Sequence, residues 1–158
     1  MANANTSKNA AAIDQALMLE NQLCFAMYSA SLAMTKMYKK ILKGLDITYP
    51  QYLVMLVLWE KDEVTVSDLG NKLFLDSGTL TPLLKRMEAM GLLHRARDVE
   101  DERRVVVRLS EEGRALRKRA VAVPEKLMCA LPPLEQVVNL REELKMLRKG
   151  LLQEAEDS

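Results

Sequence analysis

"VSDLGNKLFLDSGTLTPLLKRMEAMGLLHRARDVEDERRVVVRLSEEG", residues 66–113, contains two short helical patterns followed by two strand-like runs. Thr65 precedes the first pattern and Asp68 comes three residues later, a spacing typical of a capping box. Asp76 is a suitable N-cap for the second pattern, and Gly91 follows its last helical residue. These signals predict two consecutive helices separated by a tight turn.

A β-hairpin is predicted immediately after the second helix. The runs "LLHRAR" (92–97) and "RVVVRLS" (104–110) lie on either side of the charged tip "DVEDER" (98–103). Two short helices followed by a hairpin predict a winged helix-turn-helix. In that motif the second helix enters the major groove of DNA, and the hairpin lies over the flanking backbone or minor groove. The expected fold class is therefore mainly α with a small β-wing.

Side chains suited to DNA contacts occur in both halves of this motif. In the second helix they are short hydroxyls and two cations: Ser77, Thr79, Thr81, Lys85 and Arg86. In the hairpin they are arginines: Arg95, Arg97, Arg103, Arg104 and Arg108. Arginine is suited to insertion into a narrow minor groove. Acidic residues share the tip, so an ordinary solvated turn is the alternative interpretation.

Long helical segments flank the motif. Apolar residues at helical spacing predict a first helix over about residues 14–43, ended by Gly44. Its middle part, residues 21–35, has no charged side chain and is apolar nearly all round, which favours a subunit interface. Further helices are predicted over "YPQYLVMLVLWE" (49–60) and over residues 134–152.

These segments predict the domain organisation. Residues 1–12 are expected to form a flexible arm, and residues 48–110 the winged helix-turn-helix DNA-binding lobe. Residues 13–47 and 111–158 are expected to form a helical region that makes a homodimer. A length of 158 residues suits one compact domain with such an oligomerisation element.

Composition limits the function classes. The net charge is +1, so any basic surface must be local. The start of the chain lacks a signal-peptide pattern, and the uncharged stretch at 21–35 is too short to span a bilayer. A cytoplasmic protein without membrane association is expected. Cys24, His94 and Cys129 lack the spacing of a metal site, so we predict neither a metal nor a cofactor.

Cys24 and Cys129 are 105 residues apart and do not form a disulfide scaffold. Cys24 is predicted inside the first helix, away from its N-terminus, and without a cation nearby, which favours an inert thiol. Tyr38 lies 14 residues further on the same face, roughly 21 Å along the helix. Contact between these two side chains therefore requires two copies of the helix, and Tyr49 could come from the same partner. From the residues alone, an inert and a reactive Cys24 both remain open.

The motif resembles the winged-helix core of the MarR family of transcriptional regulators. "LDSGTLTPLLKRME" (75–88) and "DERRVVVRLSEEG" (101–113) are especially similar to its organic-hydroperoxide-sensing branch, the OhrR proteins. The likeness extends over about residues 15–150. It implies that Asp101 and Arg103 form the pair at the wing tip, with Arg103 in the minor groove of operator DNA. It also supports Ser77, Thr79 and Arg86 as residues of the recognition helix.

The same resemblance implies roles for both thiols. Cys24 matches the peroxide-sensing cysteine, and Tyr38 and Tyr49 match two tyrosines of the opposite subunit that hydrogen-bond to it. Cys129 matches the second cysteine of the two-cysteine type, which forms an intersubunit disulfide with the oxidised sensor. The implied function is a dimeric repressor that binds a pseudo-palindromic operator and is induced by organic hydroperoxides.

Two other functions are compatible with parts of the sequence. A thiol peroxidase would need a charged partner such as arginine beside its reactive cysteine, and none lies near Cys24, so an enzyme is not expected. A MarR-type repressor with passive cysteines, responding to a small aromatic ligand, is the closer alternative.

Overall fold

The computed structural model describes residues 14–157 as a mainly helical chain with one small antiparallel sheet, which confirms the predicted fold class. The helices are α1 (Leu23–Ile41), α2 (Tyr49–Glu60), α3 (Val66–Leu73), α4 (Ser77–Ala89), α5 (Glu111–Ala120), α6 (Ala122–Met128) and α7 (Leu134–Glu156). The strands are β1 (Val64–Thr65), β2 (Leu93–Arg97) and β3 (Val105–Leu109). Short 3-10 turns occupy Leu19–Asn21 and Leu42–Leu45.

The described residues divide into two compact units, the first ending at Lys40 and the second beginning at Ile41. The buried apolar side chains of the described residues all lie between Leu42 and Val123 in the second unit. They belong chiefly to α2, α4 and the sheet, and Leu58, Leu84 and Leu93 are almost completely enclosed. The arm predicted over residues 1–12 lies outside the described residues, and the predicted dimerisation region stays a prediction.

The predicted helix caps are present. Thr65 accepts a hydrogen bond from the Asp68 amide at 3.1 Å, and its hydroxyl donates to the Asp68 carboxylate at 2.7 Å. Asp76 accepts from the Thr79 amide at 2.9 Å. Gly91 has a φ of 73°, the left-handed conformation that ends α4 at low steric cost. These local signals fix where α3 and α4 begin and end.

The hairpin is also present, and it is joined by a third strand. β2 and β3 pair from Leu93 opposite Leu109 to Arg97 opposite Val105. The two-residue strand β1 pairs with the other edge of β3, with Val64 opposite Val107. β1 was not expected, and it ties the start of α3 to the base of the hairpin. The wing is defined here as β2, β3 and the connecting residues 98–104.

The first predicted helix is interrupted near its start: residues 14–16 are helical, residues 17–22 leave the α-helical conformation, and the helix resumes at Leu23. Gln22 is extended, with φ −85° and ψ 114°, and the regular helix starts at Leu23. The side-chain amide of Asn21 donates to the Gln15 carbonyl at 2.8 Å, and that of Gln22 donates to the Ala16 carbonyl. Such local side-chain bonds compete with helical backbone bonds, so the chain turns before α1.

The two longest helices, α1 and α7, contain no buried residue. Large apolar side chains are exposed on both: Leu23, Phe25, Tyr28 and Leu32 on α1, and Leu140, Leu144, Met146, Leu151 and Leu152 on α7. Within residues 14–157, no single helix has the length and hydropathy needed to cross a bilayer, although the bent pair Leu23–Leu45 and Tyr49–Glu60 passes that test when taken together.

Gly113 is required where α5 packs against the sheet. A Cβ atom at this position would lie 2.1 Å from the Leu92 carbonyl oxygen, which is backbone and cannot move aside easily. The Gly113 amide also donates to the Ser110 hydroxyl at 2.9 Å, and its carbonyl accepts from the Trp59 indole at 2.9 Å. The first turn of α5 can therefore pack this closely against Leu92 only if residue 113 is glycine.

We expect Gly113→Ala to lower the free energy of unfolding by about 3 kcal/mol, because over-packing costs roughly 1–3 kcal/mol and backbone cannot relax freely. Urea unfolding followed by the fluorescence of Trp59, the one tryptophan of the chain, measures this directly. Gly150→Ala is the matched control, since a Cβ at Gly150 on α7 meets no atom within 4 Å. Equal stability of Gly113→Ala and the parent would contradict the packing described.

Candidate nucleic-acid interface and thiol sites

The predicted DNA-binding residues of α4 point in two directions. Ser77, Thr81 and Lys85 are four residues apart and therefore lie along one face of the helix. Ser77 and Lys85 are exposed, and Thr81 is half-buried. Thr79 takes part in the N-terminal cap of α4, because its hydroxyl donates a hydrogen bond to the Asp76 carboxylate at 2.9 Å.

Arg86 and Thr79 line a different surface, facing the start of α2. Together with Thr48, Pro50, Gln51, Leu75 and Leu83 they enclose a cavity of about 480 Å³. Both apolar and polar side chains line it. This cavity is large enough for a small organic molecule.

The wing tip holds an ion pair that faces solvent. Nε and Nη2 of Arg103 lie 3.0 and 3.3 Å from the two carboxylate oxygens of Asp101, and the Arg103 amide donates to the same carboxylate at 3.1 Å. The side-chain hydrogen bonds from Arg103 hold the pKa of Asp101 below its usual value. Asp101 thus holds the guanidinium group of Arg103 in one orientation, while 90% of the Arg103 side chain remains exposed.

A basic cleft lies between α4, the start of α3 and the wing. It has a volume of about 240 Å³ and is lined by Ser67, Thr81, Arg95, Arg103 and Arg104, among others. The predicted Thr81 and the predicted wing arginines thus come together at one surface. Ser67 was not predicted, because its place in this cleft depends on the pairing of β1 with the wing.

Arg95 has an additional partner within the chain. Its amide and guanidinium donate to the carboxylate of Glu88, in the last turns of α4, at 2.8, 3.0 and 2.7 Å. Hydrogen bonds from the side chain and the amide of Arg95 lower the pKa of Glu88. Glu88 was not identified from the sequence, since nothing local marks it as the partner of a strand residue.

Asp62 joins the end of β3 to α5. Its carboxylate accepts from the Leu109 amide at 2.8 Å and from the Arg114 guanidinium at 2.5 Å. Partial burial raises the pKa of Asp62, but the bonds from Leu109 and Arg114 outweigh it and leave the pKa below its ordinary value. The base of the wing is thereby anchored to the core of the second unit.

Cys24 is the second residue of α1 and is exposed. The expectation that it lies away from a helix N-terminus is therefore wrong, because the chain turns at Gln22 and the helix starts at Leu23. In the first turn of a helix the backbone amides lack intrahelical acceptors, and the helix dipole favours negative charge. Cys24 is thus an exposed thiol in the first turn of α1.

The two candidate tyrosines lie at different places in the chain. Tyr38 is half-buried near the end of α1, the same continuous helix that starts beside Cys24. Tyr49 is the first residue of α2 and is half-buried as well. Burial raises the pKa of Tyr49, so its phenol stays protonated and remains a hydrogen-bond donor.

Cys129 follows the last residue of α6 and is exposed. Its thiol donates a weak hydrogen bond to the Glu125 carbonyl at 3.4 Å. Both cysteines are free thiols. His94 is exposed on β2, and the described part of the chain contains no group of three or more metal-ligating side chains.

The chain matches transcriptional regulators over most of its length. Residues 36–119 match the family described as "Transcriptional regulator SarA/Rot". The organic hydroperoxide resistance transcriptional regulator of Bacillus subtilis (strain 168) is 54% identical over 110 residues, which are 70% of this chain and 75% of that protein.

Solved structures share the fold. Reduced AbfR bound to DNA has a TM-score of 0.72 at 38% identity, covering 85% of this chain and 94% of that one. Disulfide-formed AbfR has a TM-score of 0.64 at 37% identity, covering 90% and 98%; AbfR is a protein of Staphylococcus epidermidis. Apo MarR from E. coli, at 24% identity and a TM-score of 0.61 over 80% of this chain and 96% of that one, shares the fold alone.

Proposed function

The chain belongs to the organic hydroperoxide resistance branch of the MarR and SarA-type transcriptional regulators, and we propose that it is a homodimeric repressor that releases its operator when Cys24 is oxidised. Like the relatives it matches, it is a transcriptional regulator and not an enzyme. The proposed partners are double-stranded operator DNA and organic hydroperoxides, and the proposed compartment is the cytoplasm.

The basic cleft between α4 and the wing is the observation on which the DNA-binding proposal rests. Ser77, Thr81 and Lys85 form the face of α4 that would enter the major groove, and exposed Arg103 would reach the adjacent minor groove. Arg104 and Arg95 line the cleft between these contacts, where a backbone phosphate would lie. The relative AbfR, with the same fold, has been solved bound to DNA.

Dimerisation is supported by the apolar surfaces of α1 and α7. Monomeric proteins seldom expose so many large apolar side chains along two long helices, and helices of this kind usually pack against a partner. A two-fold symmetric dimer would present two α4 helices to half-sites about one DNA turn, or roughly 34 Å, apart. A pseudo-palindromic operator follows from that symmetry.

The proposed sensing reaction begins at Cys24. Its thiolate attacks one peroxide oxygen, the O–O bond breaks, an alcohol leaves after taking up a proton, and the sulfur becomes a sulfenic acid. Phenol groups of Tyr38 and Tyr49 of the partner subunit would donate hydrogen bonds to the thiolate and favour that form. Tyr49 is suited to this role because its raised pKa keeps the proton on its oxygen.

A disulfide completes the proposed switch. The thiolate of Cys129 of the partner subunit attacks the sulfenic sulfur, an S–S bond replaces the S–O bond, and the hydroxide that leaves takes up a proton to become water. The exposure of both thiols is compatible with this step, as is the existence of AbfR in a disulfide form. The bond needs Cα atoms within about 7 Å, so its formation would shift α1 or α6 and separate the two DNA-binding lobes from the operator. A thiol reductant would restore binding.

A second candidate function is supported by the cavity beside α4. A small aromatic ligand in the space between Thr48, Thr79 and Arg86 would contact α4 directly and could alter operator binding without any thiol chemistry. In that case both cysteines would be passive, and hydroperoxides would leave the protein bound to DNA.

Arg103→Ala tests the proposed docking. We expect it to weaken operator binding by about 1–3 kcal/mol and to flatten the dependence of log Kd on log salt, because one cationic contact is lost. Fluorescence anisotropy on a labelled duplex at several salt concentrations measures both quantities. Arg141→Ala, which removes an exposed arginine of α7 far along the chain from the wing, is the control. Unchanged affinity for Arg103→Ala would show that the wing does not dock as proposed.

A further inference from the structure

Glu88 and Arg95 connect the recognition helix to the wing. The Glu88 carboxylate accepts three hydrogen bonds, one from the Arg95 amide at 2.8 Å and two from its guanidinium at 3.0 and 2.7 Å. The side chains are 33% and 22% exposed, so water screens the pair less than it screens the tip pair, where Arg103 is 90% exposed. Both guanidinium bonds end on one carboxylate oxygen, Oε2, and the amide bond ends on the other, Oε1, so Glu88 holds the side chain and the backbone of Arg95 together. Charge-assisted hydrogen bonds of this kind are stronger than neutral ones.

The position of this pair lets it set the angle between α4 and the wing. Glu88 is the penultimate residue of α4, and Arg95 is the middle residue of β2. Arg95 lies opposite Val107 in the ladder, so a bond that holds Arg95 also holds β3. Two residues further, Arg97 lies opposite Val105 and the chain continues into the tip that presents Arg103.

We infer that Glu88 and Arg95 are positioning residues that hold the wing at the angle from which Arg103 reaches DNA while α4 occupies the major groove. The inference rests on the proposed function. It assigns Glu88, an acid next to a DNA-binding surface, a favourable role in binding a polyanion. It also gives Arg95 a primary partner inside the protein, in addition to its place in the basic cleft.

Simple electrostatics and this positioning role predict opposite effects for the same substitution. An acidic side chain near DNA repels phosphates, so neutralising Glu88 would strengthen binding if charge alone mattered. If the ion pair sets the wing angle, neutralising Glu88 weakens binding, because Arg103 no longer reaches its site without an added conformational cost. The sign of the change therefore separates the two explanations.

The experiment compares Glu88→Gln and Arg95→Lys with the parent on a duplex that the parent protein selects from a random-sequence DNA pool. Glu88→Gln is expected to bind about tenfold more weakly, equivalent to about 1.4 kcal/mol. Arg95→Lys is expected to show a similar loss, because lysine keeps the charge but cannot make both guanidinium bonds. Glu100→Gln, which removes an acidic charge from the exposed wing loop, is the matched control and is expected to bind at least as tightly as the parent.

Coupling to Arg103 distinguishes positioning from a general loss of stability. In the Glu88→Gln background, Arg103→Ala should cost clearly less than in the parent, because the arginine is already misplaced; independent effects would simply add. Amide hydrogen exchange should also become faster in β2 and β3 while α2 keeps its protection.

Tighter binding by Glu88→Gln, or full affinity of Arg95→Lys, would overturn the inference while leaving the proposed DNA binding intact. Failure of the parent protein to select any duplex would instead overturn the proposed function. In that event the exchange measurement alone still tests the mechanical link between α4 and the wing.

Discussion

Cys24→Ser is expected to bind operator DNA with the affinity of the parent protein and to stay bound after treatment with an organic hydroperoxide. Serine is close to cysteine in size, so the substitution removes the reactive sulfur with little change in packing. A hydroxyl group cannot form a sulfenic acid or a disulfide, so both steps of the proposed reaction are blocked. Anisotropy of a DNA complex before and after cumene hydroperoxide measures the loss of response, which should be complete.

The matched control for this experiment is Ser29→Ala, a substitution on the same helix that leaves Cys24 in place. It is expected to release DNA on peroxide treatment as the parent does. Release of DNA by oxidised Cys24→Ser would contradict the sensor role and would favour the alternative in which a ligand in the cavity beside α4 controls binding.

Cys129→Ser is expected to abolish the covalent dimer that hydroperoxide produces, while Cys24 still reacts. The sulfenic acid then lacks its resolving thiol and is open to further oxidation to sulfinic acid, which thiol reductants do not reverse. We therefore expect that dithiothreitol does not reverse the release of DNA by this variant, whereas it reverses the release by the parent. Intact-mass measurement should show one chain with two added oxygen atoms instead of linked chains.

Cys129→Ala serves as a second version of the same test, because it also removes the hydrogen bond between the Cys129 thiol and the Glu125 carbonyl. Both variants should behave alike if only the missing sulfur matters. A covalent dimer in either variant would mean that two Cys24 residues link to each other, and Cys129 would then have no resolving role.

Local signals explain why much of the winged helix was predictable. The caps formed by Thr65, Asp76 and Ser110 depend on bonds to residues three positions away, so the sequence contains both partners within one turn. The hairpin was likewise marked by two apolar runs around a charged tip. By contrast, β1 consists of only two residues, and their partners, Val106 and Val107, lie more than 40 positions further along the chain. No local sequence pattern predicts this strand.

The observed start of α1 differs from the predicted one, and this difference changes the position of Cys24 within its helix. Apolar spacing suggested one continuous helix from about residue 14, which would put Cys24 in its interior. The side-chain amides of Asn21 and Gln22 instead bond to backbone carbonyls and turn the chain, so the helix begins one residue before the thiol. Periodicity detects which residues are apolar, and it does not detect this competition for backbone groups.

The sequence predicted which residues form the candidate DNA-binding surface, but it predicted few of the contacts among them. Arg95, Arg103 and Arg104 meet Thr81 at one cleft, as expected of a wing beside its recognition helix. Of the three arginines, only Arg103 has an acidic partner that could be predicted from the sequence, because Asp101 lies two residues away. Glu88 and Arg95 are held together by the path of the chain from α4 through Gly91 into β2, which is a tertiary property.

Intact-mass measurement without reductant, after one equivalent of cumene hydroperoxide per subunit, tests the proposed intersubunit switch in a single step. The result we expect is a species of twice the chain mass, less the hydrogens lost in forming each disulfide, with proteolytic peptides that join Cys24 to Cys129. Addition of dithiothreitol should return single chains that bind DNA again. A product that remains at the single-chain mass, whether with unreacted thiols or with a disulfide inside one chain, would contradict the switch.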